Sequence, residues 1–169
     1  MPRIDFAGMP DEARVWSFGI ERPLTEDERT EFLDTIDEFL VNWKAHGTPL
    51  TAARDFRHDR FLLVAVDERT APPSGCSIDA LVRVLRHEES RLGTRIVDNT
   101  PVWYLGPDGV ERVDRPTFRS RAAEGRVSPD TVVFDTTVTR VRQVREGTWE
   151  APAAKTWHGR AFFRELLGD

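Results

Sequence analysis

The hydrophobic and polar positions near the start of the chain predict a strand followed by a helix. Arg14–Gly19 alternates polar and apolar side chains, as a half-buried strand does. Thr25 and Glu28 form a capping-box pattern, in which a hydroxyl and a carboxylate each satisfy a free amide at a helix start. The helix predicted behind them, over about residues 25–45, buries one apolar face made of Phe32, Ile36, Phe39, Leu40 and Trp43.

A hairpin and a second helix are predicted next. Residues 50–56 and 60–66 are both extended in pattern, and the second run is almost continuously apolar, which is typical of a central strand. A helix then starts near Ser77 and ends at Gly93, because glycine commonly closes a helix. Its inward face is expected to consist of Ile78, Leu81, Val82 and Leu85.

Two further strands, at residues 95–97 and 102–105, complete the order strand–helix–strand–strand–helix–strand. That order predicts an α+β fold, a ferredoxin-like βαββαβ plait over residues 14–105. We expect its sheet to have four antiparallel strands, with Arg14–Gly19 and Phe61–Val66 adjacent and central. An irregular leader over residues 1–13 is expected before it, because this stretch holds two prolines and a glycine.

The last third of the chain predicts a small ββαβ extension over residues 106–169, packed on the core as one compact domain. A turn at residues 107–109 makes a second hairpin. A short helix lies between Pro116 and Gly125, with the proline near its first turn. A further strand follows at residues 131–134.

Composition and charge narrow the class of protein. The 169 residues suit one domain, and 39% apolar with 31% charged residues is typical of a globular protein. No apolar run approaches the roughly 20 residues of a membrane span, and residues 1–5 do not open a signal peptide. The single cysteine fits a reducing compartment, and a net charge of −5 disfavours nucleic-acid or anionic-membrane binding. We therefore expect a cytoplasmic protein that binds neither.

Arginine strongly predominates over lysine among the basic residues. Lys44 and Lys155 are the only lysines, and the other 22 of the 24 basic residues are arginines. One explanation is that the planar guanidinium group forms surface ion-pair networks with carboxylates. The alternative is that a GC-rich genome produces the same bias without a physical purpose.

Three segments are distinctive together: residues 43–47, residues 65–79 and residues 149–158. In this order they resemble a family of small uncharacterised bacterial proteins, many from Bacteroidota-type genomes, over about residues 14–163. Members often carry the label "ABC transporter ATPase", yet this sequence has no G-x-x-x-x-G-K-[ST] phosphate loop. The resemblance implies a shared fold and a cytoplasmic location, and it implies no established activity.

Two later segments, residues 103–109 and 122–131, are similar to the bacterial GYF-like peptide-binding fold. The resemblance implies that the extension is a GYF-like peptide-binding element. The glycine-proline-aromatic step of that fold is replaced by Val113, Asp114 and Arg115, which argues against a proline-rich ligand.

Cys76 is the candidate nucleophile, because it precedes a helix whose free amides and dipole favour a thiolate. With His46 as base and Asp67 as orienting group it would form a thiol-enzyme site. Three separate structural roles are the alternative: Cys76 packs on Leu81, His46 caps a helix end and Asp67 satisfies loop amides. The helix directions of a plait also favour a large separation of His46 from Cys76.

Other residues are candidates for binding a partner, since they lie near Cys76 or in the aromatic-rich tail: Glu68, Ser74, Ser77, Trp103, Trp149, Trp157 and His158. The alternative for the tail is that Trp149 and Trp157 pack on their own chain. The histidines lack metal-ligand spacing, and His87 with Glu88 and Glu89 is expected on a solvated helix face, so neither metal nor cofactor is expected.

The leading hypothesis is a protein- or peptide-binding module without catalysis. The alternative is a thiol-dependent enzyme that uses Cys76 with His46 or Asp67. The sequence does not set the oligomeric state.

Overall fold

A computed structural model describes residues 4–166, which form an α+β protein. The chain divides into two compact units, which are described separately. Unit 1 extends to Asp98 and includes Thr139–Arg142, and unit 2 comprises Asn99–Val138 with the residues from Gln143 onward. The predicted boundary between the core and the extension lies between residues 105 and 106.

The sheet of unit 1 has the strand order β1-β5-β4, with all neighbours antiparallel. Its strands are β1 (Arg14–Gly19), β4 (Ala52–Arg57) and β5 (Phe61–Val66). Every residue of β5 is buried, which confirms it as the central strand next to β1. His58 and Asp59 close the β4–β5 hairpin with φ of 56° each, and such a left-handed pair matches the twist of a two-residue turn.

Helix α1 (Glu26–Val41) begins at the predicted capping box. The Thr25 hydroxyl accepts from the Glu28 amide at 3.3 Å, and the Glu28 carboxylate accepts from the Thr25 amide at 3.0 Å. The helix ends four residues before the predicted residue 45, because a short hairpin follows, built from β2 (Lys44–Ala45) and β3 (Thr48–Pro49).

Helix α2 (Gly75–Leu92) ends at Gly93, whose φ of 65° is the left-handed closing conformation that glycine favours. Leu81 and Leu85 are fully buried. Glu88 is also buried, and its carboxylate forms a two-bond ion pair with Arg91 at 2.8 and 2.9 Å. The prediction that residues 87–89 form a solvated face is therefore wrong for Glu88.

The strand predicted at residues 95–97 is absent from the described chain. The backbone amides of Ile96 and Val97 donate instead to one carboxylate oxygen of Glu89, at 2.7 and 2.9 Å. The Glu89 side chain therefore accepts the hydrogen bonds that a neighbouring strand would otherwise accept. The predicted four-stranded sheet is wrong because the strand at residues 95–97 does not form.

The edge of β1 is covered by a later segment of unit 1. The Val15 amide donates to Thr139 at 2.9 Å, and Arg14 and Arg140 form an isolated antiparallel bridge. The Val141 amide in turn donates to Ala13 at 3.0 Å. Residues near 140 thus take the place that the plait assigns to its fourth strand.

The predicted leader is partly ordered. A 3-10 turn forms at Phe6–Gly8, Met9 is buried, and the Ile4 amide donates to Ala52 of β4 at 2.9 Å. Residues 1–3 of the predicted leader lie outside the described residues.

Unit 2 contains an antiparallel sheet of order β7-β6-β8-β9. Its strands are β6 (Val102–Gly106), β7 (Gly109–Val113), β8 (Val132–Phe134) and β9 (Glu150–Pro152). The strand at residues 102–105 was assigned to the first sheet, but it pairs with β7 and β8, so that assignment is wrong. Strand β6 forms a hairpin with β7, its neighbour in sequence, and therefore belongs to the same sheet as β7.

The helices of unit 2 are α3 (Arg115–Ala123), α4 (Val141–Arg145), whose first two residues belong to unit 1, and α5 (Trp157–Phe162). A 3-10 turn, Ala153–Lys155, precedes α5. The Asp114 carboxylate caps α3 by accepting from the Thr117 amide at 2.7 Å. The core of the unit packs around the fully buried ring of Phe118, together with Val102, Tyr104, Val127, Val133, Ala153 and Phe163.

Candidate functional site

Cys76 lies in the first turn of α2, and its side chain is exposed. The flanking hydroxyls belong to the helix start. The Ser77 amide donates to Ser74 Oγ at 3.1 Å, and the Ser74 amide donates to Ser77 Oγ at 2.7 Å. The expected packing of Cys76 on Leu81 is therefore wrong, and the predicted binding residues Ser74 and Ser77 act as a capping pair.

His46 occupies the tip of the β2–β3 hairpin, with an exposed side chain and a φ of 50°. The hairpin approaches α2, since the Trp43 indole N–H donates to the Ser77 carbonyl at 2.8 Å. Three residues span at most about 10 Å, so His46 lies within about that distance of Trp43.

Asp67 follows β5 and is buried, with a relative exposure of 5%. The Arg69 side chain donates to both of its oxygens, through Nε at 3.0 Å and Nη2 at 2.9 Å, and the Arg69 amide donates at 3.0 Å. These hydrogen bonds hold the pKa of Asp67 below its usual value. Within residues 4–166, no hydrogen bond or ion pair joins Cys76, His46 and Asp67 into a triad.

Glu68, a predicted binding residue, lines a hollow of about 320 Å³ in unit 1. Its carboxylate lies 3.5 Å from Arg140 Nη1, and that guanidinium also donates to the Glu12 carbonyl at 3.1 Å. Charges of both signs line the hollow: Glu12, Asp67, Glu68, Arg69 and Arg140. The charged side chains of this hollow form ion pairs with one another or with Arg142, so little uncompensated charge remains for a ligand.

Three of the aromatic binding candidates are core residues of unit 2. Trp103, Trp149 and His158 are at most 2% exposed, and Trp149 packs edge-on against Phe134 with ring centroids 5.3 Å apart. Trp157 is half-buried and stacks on the His158 ring at 3.9 Å. The tail therefore packs on its own chain, and burial leaves Trp103, Trp149 and His158 little surface to offer a partner.

His158 is the most strongly perturbed titratable group of unit 2. Burial lowers its pKa to about 4, and the positive charge of Arg115 adds to the effect against the opposing charge of Asp135. Its Nδ1 lies 2.8 Å from Thr156 Oγ1, the hydroxyl that also accepts the His158 amide at 3.2 Å. His158 is thus a neutral residue at physiological pH that anchors the start of α5.

An open groove lies beside the β6–β7 hairpin of unit 2. We call it the Leu105 groove, after the exposed apolar residue in it, and it measures about 500 Å³. One side consists of residues 104–111 and the other of Arg126, Val127 and Thr131.

The wall of the Leu105 groove is fixed by a polar cluster. Arg121 Nη1 donates to the Tyr104 hydroxyl and to Glu111 Oε1, the latter at 3.0 Å. Glu111 also fills the space above Gly106, where an added Cβ would clash with Glu111 Oε2. The hairpin therefore holds one geometry, and Leu105 is 44% exposed on it.

Sequence reasoning missed Leu105, because alternation in a short strand does not tell which face is covered. The two segments predicted to be GYF-like, residues 103–109 and 122–131, supply most of the lining of this groove.

In the part of the chain that the structure describes, no group of three or more His, Cys, Asp or Glu side chains is placed to hold a metal ion. Among the same residues, no helix combines the length and the apolar character needed to cross a membrane.

Comparison with known proteins found no matching family model, no matching curated protein and no matching solved structure.

Proposed function

We propose that this chain is a protein- or peptide-binding module without catalysis, and that it recognises a peptide segment in the Leu105 groove. One observation carries the proposal: the two segments that resemble the GYF-like fold, which are separated along the chain, line the same groove. Its volume of about 500 Å³ lies in the range of pockets that take a few side chains.

The chemistry of the groove suits a peptide with an apolar anchor. Leu105, Pro107 and Val110 supply apolar surface, while Arg126 and Asp108 supply charges of both signs. An exposed leucine that is held on a braced hairpin loses little conformational entropy when a partner side chain covers it. Burial of that leucine then favours association.

The finer fold assignments belong to the same proposal. A ferredoxin-like relationship of unit 1 is supported by the order β1-β5-β4 and by the placement of α1 and α2 along the chain. A GYF-like relationship of unit 2 is supported by the succession β6, β7, α3, β8. The proposal also includes membership of the small bacterial family and a cytoplasmic location. The single cysteine is compatible with the reducing conditions of the cytoplasm.

The test is selection of binding peptides from a random twelve-residue phage library on the full-length protein. Each selected peptide is then measured by fluorescence polarisation against Leu105→Asp and against the control Val41→Asp. Val41 is 46% exposed in unit 1, so the control adds the same charge at an equally exposed apolar site. The proposal requires Leu105→Asp to abolish binding while Val41→Asp retains it, and equal affinity for both variants would refute it.

Thiol catalysis by Cys76, with His46 or Asp67 as partner, is the second candidate. The exposure of Cys76 in the first turn of α2 favours it, and the engagement of Asp67 by Arg69 weighs against Asp67 as the partner. Alkylation by iodoacetamide distinguishes the candidates. A rate that falls on His46→Ala identifies a paired thiol, and a rate that His46→Ala leaves unchanged favours the binding module.

A further inference from the structure

A second groove in unit 2 gathers arginines that have no carboxylate partner. It lies between α3 and the chain from α5 onward, and it measures about 520 Å³. We call it the arginine groove; it is lined by residues 160–166 with Arg119, Ala122 and Ala123. It shares no lining residue with the Leu105 groove.

Positive charge predominates in the arginine groove. Arg119, Arg160 and Arg164 are all exposed, and within residues 4–166 none of them forms an ion pair. Elsewhere ion pairs engage many of the arginines, including Arg22, Arg54, Arg69, Arg91, Arg121 and Arg142. Among the described residues Arg83 and Arg95 also lack an ion pair, so what distinguishes this groove is that three such guanidinium groups line it together, with one acidic residue, Glu165.

The floor of the groove is apolar and firmly held. The Phe162 ring packs against the buried Phe118 with centroids 4.8 Å apart. The Arg119 guanidinium lies over the Phe162 ring, 5.1 Å from its centroid, and donates to the Ala161 carbonyl at 3.4 Å. Leu166 is 71% exposed at one end, and alanines complete the lining. Positive charge around an apolar floor is the complement of an acidic segment that carries a bulky apolar side chain.

We propose that the arginine groove docks an acidic peptide segment of a partner protein, with one aromatic or aliphatic side chain against Phe162 and Leu166 and carboxylates on the three arginines. Guanidinium groups bind carboxylates through paired hydrogen bonds, which favours Arg over Lys in this role. A nucleic acid is the less favoured occupant, because a chain of net charge −5 repels a long polyanion and an apolar floor offers nothing to phosphates.

The probe is a fluorescein-labelled peptide of sequence EDFEELDE, measured by fluorescence polarisation on the full-length protein. The test variant combines Arg119→Gln, Arg160→Gln and Arg164→Gln. The control combines Arg83→Gln, Arg86→Gln and Arg95→Gln, which removes the same charge from exposed positions of unit 1. We expect the test variant to weaken binding at least about tenfold and the control to change it less than about threefold.

Two further peptides and an oligonucleotide complete the experiment. A peptide with glycine in place of Phe and Leu should bind more weakly, and a peptide with lysine in place of the acids should not bind. Leu166→Ser should weaken the acidic peptide, while Leu105→Asp should leave its affinity unchanged, so failure here and failure of the Leu105 groove remain distinguishable.

Three results overturn the inference: no measurable binding of the acidic peptide, equal affinity for the test and control variants, or tighter binding of single-stranded dT12 than of the peptide. The last result would assign the groove to a polyanion. Circular dichroism of both triple variants shows whether each is folded. If the triple Arg→Gln test variant is unfolded, the binding of the acidic peptide to Leu166→Ser tests the proposal instead.

Discussion

The indole N–H of Trp43 donates to the backbone carbonyl of Ser77 at 2.8 Å, and both residues are buried. The bond ties the chain after α1 to the first turn of α2, one residue beyond Cys76. The Ser77 hydroxyl forms the capping pair with Ser74, and within residues 4–166 no hydrogen bond joins His46 to the thiol.

Cys76 should react with iodoacetamide in the native protein, because its side chain is exposed. We expect His46→Ala to leave the rate of alkylation unchanged, since no hydrogen bond links His46 to Cys76 in the described structure. Mass spectrometry of the folded protein at fixed pH measures the rate, with fully denatured protein as the reference. Labelling that requires denaturation would show that Cys76 is covered in solution.

The stability of the protein should fall as the pH falls from about 6.5 to about 4. Above the ordinary histidine pKa of about 6.5, His158 is neutral in both states and contributes no pH dependence. Below it the unfolded chain takes up a proton, while folded His158 takes one only near its pKa of about 4. The free energy of unfolding should therefore drop by up to about 3 kcal/mol across this window.

Urea titrations at a series of pH values measure this slope. His158→Gln should flatten it, whatever its effect on stability at pH 7. His87→Gln, which replaces an exposed histidine of α2, should leave the slope as it is. The account of His158 fails if the His158→Gln protein keeps the full slope.

Glu89→Ala should release the segment after α2. It removes the carboxylate that accepts the amides of Ile96 and Val97, so two charge-assisted hydrogen bonds disappear. We expect a loss of about 1–3 kcal/mol in the free energy of unfolding. Hydrogen exchange gives the specific signature, since the amides of Ile96 and Val97 should lose protection while Glu38→Ala, on the exposed side of α1, leaves them protected. Unchanged protection in Glu89→Ala would show that other contacts hold the segment.

A chain that ends at Thr148 should aggregate or melt early. The truncation removes Trp149 and β9 and thereby uncovers Phe134 and Val133. Each buried aromatic residue contributes roughly 1.5–3 kcal/mol by burial. Sedimentation and thermal melting test this expectation, and a truncated protein that is monomeric and as stable as the full chain would contradict the packing of the tail.

The elements that the sequence predicted well are those whose signals are local. The Thr25 and Glu28 capping box, the apolar run of β5 and the closing Gly93 each act within a few residues, and the structure confirms them. The missing strand at residues 95–97 depends on the Glu89 side chain, which no local pattern reveals.

The candidate site was less predictable, because it depends on which side chains the fold covers. Trp103 and Trp149 look like binding residues in the sequence, yet both belong to the core. Leu105 looks like an ordinary strand residue, yet it is exposed beside a turn. Long-range packing decides whether each of these side chains is buried or exposed, and neither residue type nor spacing in the sequence predicts that packing.

The most direct test of the Leu105 groove is the nuclear magnetic resonance spectrum of the ¹⁵N-labelled full-length protein during titration with a phage-selected peptide. The account predicts amide shift changes concentrated at residues 104–111 and 126–131, which saturate with the peptide and disappear in Leu105→Asp. Shift changes centred in unit 1, or changes that persist in Leu105→Asp, would contradict the proposal that this groove binds the peptide.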